Sequence, residues 1–216
     1  MILVPIKDTG SAKQRLAAVL DRPARTQLAQ AMLQDVLSAL HAWKKNAGVA
    51  VVTGDAFATA LARDYGFEII ADPDNPGETG AIEMATRVCV ERGAKETLVI
   101  PADIPLIQAW ELEEIFKSAP ETGALLVPAG DGRGTNAVLR RPADLFPLRF
   151  GNDSFRPHHA AARAAGKPCV VLKLPGIAVD VDNPEDLDLL IAQPGGSRSQ
   201  KLVREWKESG ILGLRV

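Results

Sequence analysis

Short uninterrupted apolar runs, separated by longer stretches of helical periodicity, constrain this chain more than any other feature. ILVPI at 2–6, VAVVT at 49–53, FEIIA at 67–71, TLVIP at 97–101, GALLVP at 123–128, TNAVLR at 135–140 and CVVLKL at 169–174 read as strands. Most are continuous rather than alternating in polarity, the pattern of strands covered on both faces. Within 24–45, Leu28, Met32, Val36, Leu40 and Trp43 recur every three or four positions, and Asp21 and Pro23 stand where a cap and a first-turn proline belong. Shorter helices fit 55–64, 79–92, 109–117, 152–165 and 184–192. This alternation predicts an α/β protein: a doubly wound, mostly parallel sheet between two layers of helices. After Gln193 the run Pro-Gly-Gly-Ser-Arg-Ser breaks the pattern, and a polar helix fits 199–208. The chain therefore reads as one domain over 1–193 and a C-terminal helical appendage over 194–216, docked on the domain or on the partner subunit of a homodimer.

Charge and cysteine usage remove whole classes of function. Lys and Arg number 25 against 27 for Asp and Glu, a net charge of −2, so the basic face needed for non-specific nucleic-acid binding is missing. No run approaches the ~20 apolar residues of a membrane span. Met1 leads straight into Ile-Leu-Val-Pro, without a signal-peptide layout. Cys89 and Cys169 stand far apart in apolar stretches, which offers neither a disulfide framework nor a zinc spacing and reads as core. The expectation is a cytoplasmic protein that binds neither nucleic acid nor membrane.

In doubly wound folds ligands bind beyond the carboxyl ends of the strands, and four segments fall there. Lys7-Asp8-Thr9-Gly10-Ser11-Ala12-Lys13-Gln14-Arg15 offers three cations, small residues and backbone N–H groups. Those are the parts of a phosphate cradle, or of a solvated basic turn. It matches neither GxxxxGK[ST] nor GxGxxG. Asp103, between Pro101 and Pro105 after the apolar strand 97–101, is a rigidly placed carboxylate of the kind that Mg²⁺ takes together with substrate phosphates. Asp180 and Asp182 alternate in an extended segment and so share a face; Asn183-Pro184-Glu185-Asp186 reads as the start of the next helix. Gly132-Arg133-Gly134-Thr135-Asn136 and Phe150-Gly151-Asn152-Asp153-Ser154-Phe155 place glycines, hydroxyls and a helix mouth where a phosphorylated acid could sit. His158 and His159, inside a helix without ligand partners, read as solvent-facing or hydrogen-bonded. GxSxG and HExxH are both missing, so nucleophilic hydrolases and zinc proteases have no foothold.

Val4-Pro5-Ile6-Lys7 with Ala12-Lys13-Gln14-Arg15-Leu16, Ala102-Asp103-Ile104-Pro105-Leu106, Gly132-Arg133-Gly134-Thr135-Asn136-Ala137, Phe150-Gly151-Asn152-Asp153-Ser154-Phe155 and Asp180-Val181-Asp182-Asn183-Pro184-Glu185-Asp186 occur in order. Together they resemble the 2-phospho-L-lactate guanylyltransferase family (CofC/FbiD-like) over residues 2–190. The resemblance implies a nucleotide-diphospho-sugar-transferase-like, Rossmann-like fold and a step in coenzyme F420 biosynthesis. In that step GTP joins 2-phospho-L-lactate, phosphoenolpyruvate or 3-phospho-D-glycerate, and pyrophosphate leaves. It implies Mg²⁺ on Asp103, Asp180 and Asp182, with Asp103, Lys13 and Asp180 as the catalytic set. Lys7, Lys13, Arg15 and Gly80 would face the nucleotide, and Thr135, Asn136, Gly151 and Ser154 the acceptor acid. One departure stands out: where the family usually has Gly-Leu-Asn-Ala-Ala opening the third helix, this chain has Glu78-Thr79-Gly80-Ala81-Ile82-Glu83, so Gly80 replaces an amide side chain. The competing readings are another nucleotidyltransferase or a GT-A-type glycosyltransferase of the same fold, and a non-catalytic nucleotide-binding module.

Overall fold

A computed structural model describes residues 1–43, 48–72, 77–151 and 153–212. Its seven strands form one sheet in the order β3-β2-β1-β4-β6-β5-β7. β1 (Ile2–Ile6) pairs in parallel with β2 (Val49–Thr53) and β4 (Thr97–Val99), and β2 with β3 (Glu68–Ala71). β6 (Thr135–Arg141) runs antiparallel to both β4 and β5 (Gly123–Pro128), while β7 (Cys169–Val171) is parallel to β5. The reversal of β6 has a simple cause. Only 129–134 join it to β5, closed by an Ala129 N–H to Gly134 carbonyl bond of 3.0 Å, and a parallel return would need a long crossover. In consequence the amino end of β6, carrying Thr135 and Asn136, meets the carboxyl ends of β1 and β4.

Successive strand residues feed opposite layers, which explains the uninterrupted apolar runs. Ile2, Val4, Val51, Leu98, Leu125 and Leu139 pack with α1 (Arg22–Ala42), α2 (Ala56–Asp64) and α4 (Ala109–Ser118). Leu3, Val52, Val99, Leu126 and Val138 pack with α3 (Glu78–Glu91) and α5 (Phe155–Ala164). A third cluster joins Leu28 and Met32 of α1 to Leu187 and Leu190 of α6 (Pro184–Ala192) and to Val203 and Trp206 of α7 (Arg198–Glu208). Asp35 of α1, buried, accepts from the backbone N–H groups of Arg198 and Ser199 and from the Ser199 hydroxyl at 2.7–2.9 Å. A carboxylate at those unpaired N–H groups favours the α7 terminus. None of the helices is long and apolar enough to cross a membrane, among the described residues.

Several boundaries differ from the sequence expectation. β4 and β7 end at Val99 and Val171, earlier than their apolar runs. β3 starts at Glu68, and α1 starts at Arg22, capped by Asp21 as expected. The expected helix over 152–165 spans Phe155–Ala164, and Asn152 lies outside the described residues. So do residues 44–45 of the long helix expected over 24–45 and residues 213–216 of the C-terminal segment. Cys89 is buried on α3, and Cys169 is half-buried at the start of β7.

Candidate active site

After β1 the chain makes two short 3₁₀ turns, Thr9–Ser11 and Gln14–Ala18. Asp55, the cap of α2, moors them by accepting from the Thr9 backbone N–H and hydroxyl, both at 2.8 Å. Between the turns Lys13 takes a left-handed backbone (φ 55°, ψ 43°), which costs a non-glycine residue on the order of 1–3 kcal/mol. Two contacts offset that cost: Lys13 Nζ lies 2.8 Å from Asp103 Oδ2 and 2.8 Å from Asp182 Oδ1. Arg15 Nη1 adds a longer contact to Asp182, at 3.4 Å. Burial alone would depress the Lys13 ammonium, but the two carboxylates outweigh it and hold it well above its usual value. For Asp182, burial is likewise outweighed by Lys13 and Arg15, and its carboxyl titrates below the usual range.

The two aspartates are brought together by backbone. The Val181 N–H donates to the Asp103 carbonyl at 3.1 Å, and the Val181 side chain is buried in the third core cluster. Asp180 and Asp182, on either side of it, both line one cavity. Asp180 Oδ1 accepts from Asn136 Nδ2 at 3.0 Å, and the same amide nitrogen donates to the Ile177 carbonyl at 2.9 Å. Burial, with Asp103 and Asp182 close by, pushes the Asp180 carboxyl up. Asp186 accepts from the backbone N–H groups of Asp182 and Asn183 in a capping box; its role is structural.

Two cavities meet at these carboxylates. One, about 410 Å³, is walled by the loop from Lys7 to Arg15. The other, about 430 Å³, is walled by Thr135, Asn136, Gly151, Ser154 and Asp180. Arg15, Glu78, Pro101, Asp103 and Asp182 belong to both. Gly80, in the first turn of α3, lines neither.

The wall of the second cavity is a connected network. Ser154 Oγ accepts from the Thr135 backbone N–H at 3.0 Å, and Thr135 Oγ1 lies 3.0 Å from His158 Nδ1. His158 Nε2 accepts from the Arg149 N–H at 2.9 Å, so the proton of the neutral ring sits on Nδ1 and is donated to Thr135. With one lone pair engaged on each oxygen, both hydroxyls keep a hydrogen to donate. His158 is 1% exposed, and burial together with the Arg140 charge pushes its pKa down to about 4. Three consecutive N–H groups fix the approach to Gly151: Leu148 donates to Glu83 at 2.8 Å, Arg149 to His158, and Phe150 to Thr79 at 3.0 Å.

Two further residues belong to this region. Glu78 stands in the sequence only as part of the departing segment at the third helix, and burial and the neighbouring Asp103 push its carboxyl up to about 7, against Lys7 and Lys13. His158 reads as a bystander because its partners lie 9 and 23 positions away. No local signal marks either one. The oxygen donors also bear on a metal. Asp103 and Asp182 converge on one point, where Lys13 satisfies them with positive charge, and the donor set is hard oxygen, so the residues fit Mg²⁺. Among the described residues no group of three or more His, Cys, Asp or Glu forms a ready-made cage.

Comparison with known proteins identifies the family. Residues 1–209 match the family described as guanylyl transferase CofC like. A phosphoenolpyruvate guanylyltransferase of Roseiflexus castenholzii is 36% identical over 204 residues, which cover 94% of this chain and 93% of that one. A 3-phospho-D-glycerate guanylyltransferase of Colwellia psychrerythraea is 34% identical over 190 residues, 88% of this chain and 90% of that one. Among solved structures, one from Desulfovibrio desulfuricans, described as a nucleotide-diphospho-sugar transferase, superposes with a TM-score of 0.78 at 21% identity, over 98% of this chain and 96% of that one. A nucleotidyl transferase of Methanothermobacter thermautotrophicus gives 0.61 at 16% identity, over 95% and 99%. The chain belongs to the CofC-like guanylyl transferase family.

Proposed function

From that membership, we propose that the protein joins GTP to a small phosphorylated three-carbon acid and releases pyrophosphate. The acid is phosphoenolpyruvate, 3-phospho-D-glycerate or 2-phospho-L-lactate, and the product feeds coenzyme F420 assembly. The observation that carries the reading is the seam of Asp103, Asp182 and Arg15 shared by two adjacent cavities, one walled by the loop that carries Lys7, Lys13 and Arg15 and one lined by hydroxyls. Two anionic molecules bound side by side would meet there.

The chemistry needs little from the protein in the way of proton transfer. An acceptor phosphate has a second pKa near 6 and is largely dianionic at pH 7. One of its oxygens attacks the α-phosphorus of GTP, and the bond to the bridging oxygen of the β-phosphate breaks with its electron pair leaving on pyrophosphate. Positioning of this kind supplies about 7–11 kcal/mol of barrier reduction. Thr135 and Ser154 orient the acceptor with two hydroxyl donors. Lys7, Lys13 and Arg15 offset the triphosphate charge, and Asn136 holds Asp180 in place. Mg²⁺, held by Asp103 and Asp182 with Asp180 beside them, would neutralise charge on the reacting phosphates.

The test is a panel of the four common nucleoside triphosphates with each of the three acids, read out as pyrophosphate. Release from GTP with at least one acid is expected. Release from another triphosphate in preference, or from none, would overturn the reading.

A further inference from the structure

A third cavity of about 450 Å³ adjoins the loop-walled one, sharing Ile6, Lys7 and Asp8 with it, and lies across the carboxyl ends of β1, β2 and β3. Three carboxylates line it, and they differ in how their oxygens are used. Asp55 accepts from Thr9 twice and from the Ala58 N–H, all at 2.8 Å. Asp8 accepts from the Gly10 N–H at 2.8 Å. Asp72 is only 6% exposed, yet among the described residues its carboxylate has neither a hydrogen bond nor an ion pair. Its backbone, in contrast, is fixed: the Asp72 N–H donates to the Thr53 carbonyl at 3.1 Å. Gly54 also runs so close that a Cβ there would lie 2.9 Å from the Asp72 carbonyl oxygen. Among the described residues only Arg25 Nε and Arg140 Nε are enclosed without a partner, so the Asp72 oxygens open onto the cavity they line, and a carboxylate held in position at a cavity wall is an acceptor for a ligand.

The chemistry of that ligand follows from the acceptor. A carboxylate with both oxygens open pairs best with two neighbouring N–H donors. Among the common nucleobases only guanine presents two, N1–H and the N2 amino group, along one edge. Adenine, cytosine and uracil each place a ring acceptor or a carbonyl beside their donor. Phe57 adds an apolar wall against which a planar base can lie. Lys7, common to both cavities, connects this space to the cationic loop. Gly80 offers no side chain for a base contact and lines none of the three cavities.

The geometry points to Asp72 as the residue that reads guanine, accepting N1–H and N2–H in this third cavity. This rests on the guanine-nucleotide reading above. The test is equilibrium binding of GTP, ITP and XTP to wild type and Asp72→Asn, without any acid present. Inosine lacks the 2-amino group, and xanthine carries an oxygen there, which suits a carboxamide instead of a carboxylate. A bidentate pair discriminates by about 5- to 150-fold. Wild type should bind GTP tighter than ITP or XTP by a factor in that range, and Asp72→Asn should lose the margin over ITP and favour XTP. Equal binding of GTP and ITP by wild type, which needs no variant to fold, overturns the assignment, as does an unchanged GTP preference in Asp72→Asn. A wild type that discriminates as expected but releases no pyrophosphate with any acid overturns the guanylyltransferase reading and leaves Asp72 standing.

Discussion

At the scale of single residues, the hydroxyl-lined wall of the second cavity depends on a buried histidine whose pKa, pushed down to about 4, leaves the ring neutral at pH 7. Its proton on Nδ1 fixes Thr135 Oγ1 as an acceptor on one side and a donor on the other. Ser154, paired to the Thr135 N–H, offers the second donor. Replacing Ser154 by Ala should raise the acceptor KM about tenfold, the worth of one hydrogen bond to an anion, while the GTP KM stays within about twofold. Equal increases in both would remove Ser154 from the acceptor site. The same histidine gives stability a pH dependence. Its folded pKa of about 4 lies below the ordinary 6.5, so between those values the unfolded chain binds a proton that the folded chain does not. Its contribution is therefore complete above pH 6.5 and is lost as pH falls toward 4. At 1.36 kcal/mol per unit this amounts to about 2–3 kcal/mol between pH 7 and 4.5. Urea unfolding of wild type and His158→Asn at both pH values should show their difference in stability shifting by that amount. A constant difference would contradict it.

At the scale of elements, the α7 terminus hangs on Asp35. Asp35→Ala removes three hydrogen bonds at 2.7–2.9 Å and leaves two helix-terminal N–H groups without their partner. A loss of about 2–4 kcal/mol is expected, read as a lower urea midpoint and as proteolysis between α6 and α7. An unchanged midpoint would show that apolar packing alone seats the helix. Element types were legible in the sequence because burial on both faces leaves continuous apolar runs, and because Asp21 and Pro23 mark the start of α1. The direction of β6 was legible only indirectly, through the lack of a helical stretch between Pro128 and Thr135. The ends of β4 and β7 were not legible, since apolar residues continue beyond the last ladder pairs to pack against helices: Ile100, Leu172 and Leu174 all join the first core cluster.

At the scale of the whole molecule, the fold collects residues from distant parts of the chain onto one sheet edge. The motifs after β1 and β4, at the start of β6 and before α6 were recognisable as candidates one at a time. Their mutual arrangement was not, because it rests on contacts across 90 and 169 positions, as between Lys13 and its two aspartates. Burial decides the rest: Glu78 and Asp72 look like ordinary acids until the packing around them is known. The claim on which everything depends is that Asp103 sits where the two substrates touch. The most direct measurement is pyrophosphate release from GTP and the acceptor acid by Asp103→Asn, with the melting temperature recorded alongside. A fall in kcat of about 100-fold or more, with the melting temperature within a few degrees of wild type, is the expected result. Turnover within about threefold of wild type would contradict the account.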